Sequence, residues 1–158
     1  MPGGKIMVYS GLVEKLQLND AEIAAVLGHE ISHALREHTR ERVSRAYEQK
    51  AVLLGFAVVT GLDPATLDLA DSVAAVTFQL PHSREQEAEA DVMGLELMAR
   101  AGYDPHEAIS LWQKMMAAEQ STPPQFLSTH PASANRVAEL ERHIPQVMPL
   151  YEAATRSG

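Results

Sequence analysis

The chain has 158 residues, with 13 basic side chains against 21 acidic ones, a net charge of −8 and no cysteine. That balance lacks the basic footprint of a nucleic-acid partner, and without cysteine there are no disulfides or thiolate metal sites, so any bound metal must rest on His, Asp or Glu. The length suits one domain over residues 1–158, and a 46% apolar chain with only 5% aromatics, rich in Ala, Leu, Glu and Met, favours helix over sheet.

Met1-Pro2-Gly3-Gly4 lacks the basic start and apolar stretch of an export leader, so either the protein is cytosolic or its amino-terminal portion is missing. Lys5 to Ser10 alternates and is β-prone after a turn signal, which makes it the one credible strand; such a strand needs a partner from elsewhere. Gly11 to Leu18 suggests a short helix. Asn19 with Glu22 forms a capping box and opens the next helix, expected to run to about Tyr47 and to continue, or to be followed by a second helix, through Thr60. The apolar run Ala51 to Val59 is far below the roughly 20 residues that cross a bilayer and reads as a buried helix segment, so no transmembrane segment is expected. Gly61 and Asp63-Pro64 mark a stop and a new helix that Leu80-Pro81 ends. Ser83 with Gln86 is a second capping box, opening a helix from Arg84 to Ala101 with Gly102 beyond it. Asp104-Pro105-His106-Glu107 opens another, carrying Leu111, Trp112 and Met115. Gln120 to Pro131 reads as a loop, and a last helix, about Ala132 to His143, precedes a proline-punctuated tail.

Two stretches carry chemistry. In His29-Glu30-Ile31-Ser32-His33 the histidines lie four apart on a helix, share a face and can hold one zinc ion, while Glu30 can serve as general base toward a water there. That combination suits hydrolysis of an amide bond. On the helix after Ser83, Glu87 and Asp91 are also four apart: Glu87 can supply a third ligand, and Asp91 can accept a hydrogen bond from the other nitrogen of a zinc histidine. The plainer reading is a solvated acidic face, which Glu85 and Glu89 fit. His38 falls five residues beyond His33, about 140° round a continuous helix, and is expected off the metal face. His106 and His143 read as cap and helix-end residues, and Met93, Met98, Met115 and Met116 as core filler.

The pairing of His29-Glu30-Ile31-Ser32-His33 with Ser83-Arg84-Glu85-Gln86-Glu87-Ala88-Glu89-Ala90-Asp91 resembles the gluzincin zinc peptidases that include the CAAX prenyl endopeptidases and HtpX. Pro2-Gly3-Gly4-Lys5-Ile6 and Ser128-Thr129-His130-Pro131, followed by Arg136, look closest to the soluble bacterial envelope branch of BepA-like and LoiP-like proteins, and the resemblance runs to about Leu140. It implies a mainly α (α+β), compact metallopeptidase domain with a long HExxH helix, an ExxAD helix and a small β element near the N-terminus. It makes Glu87 the third ligand of one zinc per chain, with Asp91 in support. It draws attention to His130, as a fourth ligand at rest or a donor to the tetrahedral oxyanion, and to Arg136, as a group that orients substrate or nearby carboxylates; an exposed loop histidine and a helix-surface arginine are the alternatives. Similar proteins carry a preceding strand absent here, so an N-terminal segment is expected to be missing. They are usually exported or lipid-anchored, which implies a periplasmic or envelope address. The tail after His143 is too short for the helical-repeat module of BepA.

The function expected is a zinc-dependent metalloendopeptidase acting on unfolded or misassembled envelope polypeptides. The alternative is a latent zinc-binding, chaperone-like module with little proteolysis, which the missing strand and a blocking His130 would favour and the intact Glu30 opposes. A metal-free helical interaction domain would require both motifs to be coincidental.

Overall fold

The computed structural model describes residues 6–61, 83–119 and 123–156, and every regular element among them is helical. The strand expected at Lys5 to Ser10 is not seen: Ile6 to Tyr9 have no regular structure, Ser10 opens α1 (Ser10–Leu16), and Lys5 lies outside the described residues. An extended segment needs a ladder partner, and the described residues offer none. Val8 instead packs on the core, and the Tyr9 carbonyl accepts from the Leu12 N–H at 2.9 Å, turning the chain into the helix.

Both expected capping boxes form. Asn19 Oδ1 accepts from Glu22 N at 2.8 Å and Glu22 Oε2 accepts from Asn19 N at 2.9 Å, opening α2 (Asp20–Leu35). The same buried Glu22 carboxylate accepts from Ser110 Oγ and Lys114 Nζ, each at 2.7 Å, and so ties α2 to α5 (Glu107–Glu119).

The helix expected to run on to Tyr47 breaks instead. α2 stops at Leu35, Glu37 adopts a left-handed φ of 53°, and α3 (His38–Thr60) starts in a new direction. Left-handed backbone costs a non-glycine residue about 1–2 kcal/mol; here the turn brings His38 back against His33. Gly61, at φ 68°, ends α3, and the helix expected between Pro64 and Leu80 lies outside the described residues. The Ala51 to Val59 run is helical, and among its described side chains the expected burial fails at Val52, Phe56 and Val59, which are 73%, 60% and 85% exposed, while Ala57 is buried. No helix among the described residues is long and apolar enough to cross a membrane.

Ser83 and Gln86 open α4 (Arg84–Arg100), and Gly102 at φ 80° follows it. After α5, a 3₁₀ turn (Gln125–Ser128) leads to α6 (Ala134–Arg156). α6 runs through Pro145 and Pro149, so His143 sits within a helix and not at its end. Each interior proline costs about 3 kcal/mol or more; burial of Ile144 and Val147, with Met148, Leu150 and Tyr151 packed beside them, holds this helix against the core.

That core joins α2, α4, α5 and α6 through Val26, Leu95, Met98, Leu111, Trp112, Met115 and Leu140. α2 and α4 meet backbone to backbone. A Cβ on Gly28 would lie 2.7 Å from the Gly94 carbonyl oxygen, and one on Gly94 would lie 2.8 Å from the His29 nitrogen. Only glycine allows that approach, and it occurs beside His29, one turn from Asp91.

Candidate metal centre

His29 and His33 are buried on the α4-facing side of α2, with their Nε2 atoms 3.1 Å apart. Glu87 enters from the first turn of α4, its Oε1 3.2 Å from His33 Nε2 and its Oε2 3.5 Å from His29 Nε2. Donors on a tetrahedral zinc, at about 2.0–2.1 Å from the metal, stand about 3.3 Å from one another. The three separations fit that figure. His130 completes the group, with Nδ1 3.1 Å from His29 Nε2 and 2.9 Å from Glu87 Oε1. Its ring stacks on Phe126 at 4.5 Å between centroids, and its other nitrogen lies 3.1 Å from Glu30 Oε1. His29, His33, Glu87 and His130 are all buried, each with a ligand atom within 4.8 Å of the others.

Behind these atoms, Asp91 Oδ1 lies 3.0 Å from His29 Nδ1. Arg136 donates from Nε and Nη2 to the two Asp91 oxygens at 2.7 and 2.6 Å, and Nη1 stands 2.7 Å from Glu87 Oε2 and donates to the Pro131 carbonyl at 3.1 Å. The guanidinium is buried, 3.6 Å above the Trp112 ring. Peptidase family M48 matches the chain over residues 1–144.

The chain belongs to peptidase family M48. It is 35% identical over 164 residues to the mitochondrial metalloendopeptidase OMA1 of Saccharomyces cerevisiae, covering 100% of this chain and 46% of that protein. It is 30% identical over 168 residues to the human mitochondrial metalloendopeptidase OMA1, covering 96% of this chain and 31% of that one. To the β-barrel assembly-enhancing protease of Escherichia coli it is 29% identical over 161 residues, covering 94% and 32%. The chain spans less than half the length of these relatives. No solved structure matches it. The periplasmic or envelope address expected from the bacterial branch is overturned: the relatives at 35% identity are named as mitochondrial enzymes, while the bacterial protease stands at 29%.

Zinc is the metal of the M48 family, and the electrostatics of this site fit it. The site gathers three carboxylates, Glu30, Glu87 and Asp91, and one guanidinium, on Glu87 and Asp91, so with neutral imidazoles two negative charges are in excess, the complement of a divalent ion. The same surplus shows in the titration of the side chains. Burial opposes a charged His29, yet the hydrogen bonds to Asp91 and then Glu87 raise its pKa to about 9. His33 is pushed down to about 4 by burial and by positive charge on His29 and His130, against the pull of Glu87. Burial disfavours ionised Glu87, but hydrogen bonds from His130, His29 and His33 outweigh it and hold the carboxyl far below its usual range. Asp91 is held low in the same way, by His29 and Arg136 against burial.

The M48 motifs meet in one place, and the structure adds residues that the sequence reading set aside. His38 is only 3% exposed, with Nδ1 2.9 Å from His33 Nδ1 and Nε2 3.2 Å from Glu89 Oε2. The expectation that it lies off the metal face assumed an unbroken helix, and the turn at Glu37 removes that premise. Gly28 and Gly94 were also passed over, although a glycine inside a helical pattern is a signal of close approach. Trp112 reads from sequence as core, but it also forms the platform for Arg136.

Proposed function

We propose that this chain is a single zinc metalloendopeptidase domain that hydrolyses peptide bonds in unfolded polypeptides. The observation that carries the reading is the convergence of His29 Nε2, His33 Nε2 and the Glu87 carboxylate at zinc-ligand separations, with Glu30 beside them. His29, His33 and Glu87 hold one zinc. When bound, the metal supplies Lewis acidity, polarising the scissile carbonyl and acidifying a water.

The side chains do the rest. Glu30 accepts the proton of the attacking water and returns it to the leaving amine. Burial works against its ionised form, but the hydrogen bond and charge of His130, then the charges of His29 and His33, keep its pKa below the ordinary carboxylate value, so it is a base at neutral pH. Asp91 Oδ1, 3.0 Å from His29 Nδ1, favours the hydrogen on that nitrogen and so leaves Nε2 as the donor to the metal. Of the roles expected for Arg136, orienting carboxylates is the one its buried contacts with Asp91 and Glu87 support. A resting fourth ligand is the His130 role supported by Nδ1 lying 3.1 Å from His29 Nε2 and 2.9 Å from Glu87 Oε1, with Nε2 beside the base.

That position of His130 favours a second reading, a latent zinc module with little proteolysis. One experiment separates the two. Zinc content by mass spectrometry and casein cleavage are measured on the parent chain, Glu87→Ala and Glu30→Gln. The peptidase reading expects about one zinc per parent chain, loss of zinc and cleavage together in Glu87→Ala, and retained zinc with cleavage reduced about 100-fold or more in Glu30→Gln. Zinc without cleavage in the parent would favour the latent module, and no zinc after reconstitution would overturn both.

A further inference from the structure

The two histidines of the motif are supported differently. Behind His29 Nδ1 stands Asp91, and behind Asp91 stands Arg136. Behind His33 Nδ1 stands His38, at 2.9 Å, its ring edge-on at 72° to that of His33. Behind His38 Nε2 stands Glu89, at 3.2 Å, and Arg36 Nη2 lies 2.6 Å from the other Glu89 oxygen. Each of the two motif histidines therefore has a partner on Nδ1, a carboxylate in the chain behind it and an arginine on that carboxylate.

The proton positions in the second chain follow from what each group can do. An ionised carboxylate only accepts, so the His38 nitrogen facing Glu89, Nε2, carries the hydrogen. In a neutral imidazole the other nitrogen is then bare, so His38 Nδ1 accepts. The hydrogen between the two rings then belongs to His33 Nδ1, which leaves the unprotonated His33 Nε2 beside His29 Nε2 and Glu87. We propose that His38, oriented by Glu89, is a positioning residue that fixes His33 in the tautomer able to bind the metal. This rests on the zinc reading above. The turn at Glu37 is what makes the contact possible: on a straight continuation of α2, His38 would project away from His33. The left-handed residue has a use at the site, not only at a helix boundary.

The test uses the full chain stripped of metal, and reads the zinc dissociation constant by competition with a fluorescent chelator beside the apo melting temperature. His38→Leu fills the space without an acceptor and is expected to weaken zinc binding about 10–100-fold. His38→Asn places an amide oxygen near the position of Nδ1 and should recover most of that loss, which a purely space-filling role would not predict. Glu89→Ala, at a side chain 42% exposed, should leave the apo fold intact and still weaken zinc several-fold, with Glu89→Gln close to the parent. Parent-like zinc affinity in His38→Leu, or no recovery in His38→Asn, would overturn the role of His38. If the His38 variants do not fold, unchanged affinity in Glu89→Ala would do the same. A parent chain that takes up no zinc overturns the zinc reading itself and is distinct from either result.

Discussion

His130 touches both halves of the site at once. Nδ1 lies 3.1 Å from His29 Nε2 and 2.9 Å from Glu87 Oε1, and Nε2 lies 3.1 Å from the carboxylate of Glu30, the proposed base, which must be open to water. A side chain that fills the fourth position and covers the base holds the site closed, whereas one that stabilises an oxyanion helps only once substrate is in place. The two roles predict opposite effects for His130→Ala. If about nine-tenths of the molecules rest closed, removing the ring raises kcat/KM on casein about tenfold, because the competent fraction rises to nearly one. If His130 is an essential oxyanion donor, kcat falls about 100-fold or more. The geometry favours the rise, and an initial-rate assay on zinc-loaded parent and variant decides it. Little of this was legible from spacing. The pairing of His29 and His33 follows from helical periodicity, and Glu87 with Asp91 from the same rule, but nothing local ties a histidine after a proline-rich loop to a helix about a hundred positions earlier. His130 and Arg136 entered through family resemblance. His38 was missed because its position depends on one backbone torsion at Glu37, where neither glycine nor proline marks the chain.

At the scale of elements, the capping boxes at Asn19 and Ser83 were readable because they are local: four consecutive residues contain both the cap and its reciprocal partner. The reach of α6 through two prolines was not, since it depends on burial of Ile144 and Val147 against helices distant in sequence. The crossing of α2 and α4 is of this second kind. It sets how closely Glu87 and Asp91 approach the histidines, and it depends on Gly28 and Gly94. Gly28→Ala would place a methyl 2.7 Å from the Gly94 carbonyl oxygen, and Gly94→Ala would place one 2.8 Å from the His29 nitrogen, so backbone must move in either case. Alanine otherwise favours a helix over glycine by about 1 kcal/mol, but overpacking at a backbone contact costs about 1–3 kcal/mol or more and should dominate. Gly55, on α3, provides the contrast: nothing lies within 4 Å of its added Cβ, so Gly55→Ala should stabilise by about 0.5–1 kcal/mol. Urea unfolding of the three variants tests the sign at each position. Zinc affinity should fall in Gly28→Ala and Gly94→Ala alone, because only there do the ligand-bearing helices part.

For the whole molecule, the metal centre and the core are one construction. Trp112 and Phe126 belong to the apolar cluster, and both approach His29 edge-on, at 5.9 and 6.2 Å between ring centroids. Glu30, Glu87 and Asp91 gather beside these rings with a single guanidinium, which bridges Glu87 and Asp91 only, so without a metal negative charge is in surplus there. A divalent ion offsets the surplus in the folded state only, since the unfolded chain scatters its ligands, so binding is linked to folding. With free zinc at about 100 times its dissociation constant, the linkage is worth about 2.7 kcal/mol. In a domain of this size that is a rise of about 5–10 °C in melting temperature. Dialysis against a chelator should lower the calorimetric transition by that amount and abolish casein cleavage, and returning stoichiometric zinc should restore both. Glu87→Ala removes a ligand and one of the repelling carboxylates together. Its apo form should nevertheless melt below the apo parent, because His29, His33, His130 and Arg136 lose a buried partner, and its transition should no longer respond to zinc. A parent chain whose transition ignores zinc, at concentrations where mass spectrometry finds the metal bound, would show that the ion is not coupled to the fold.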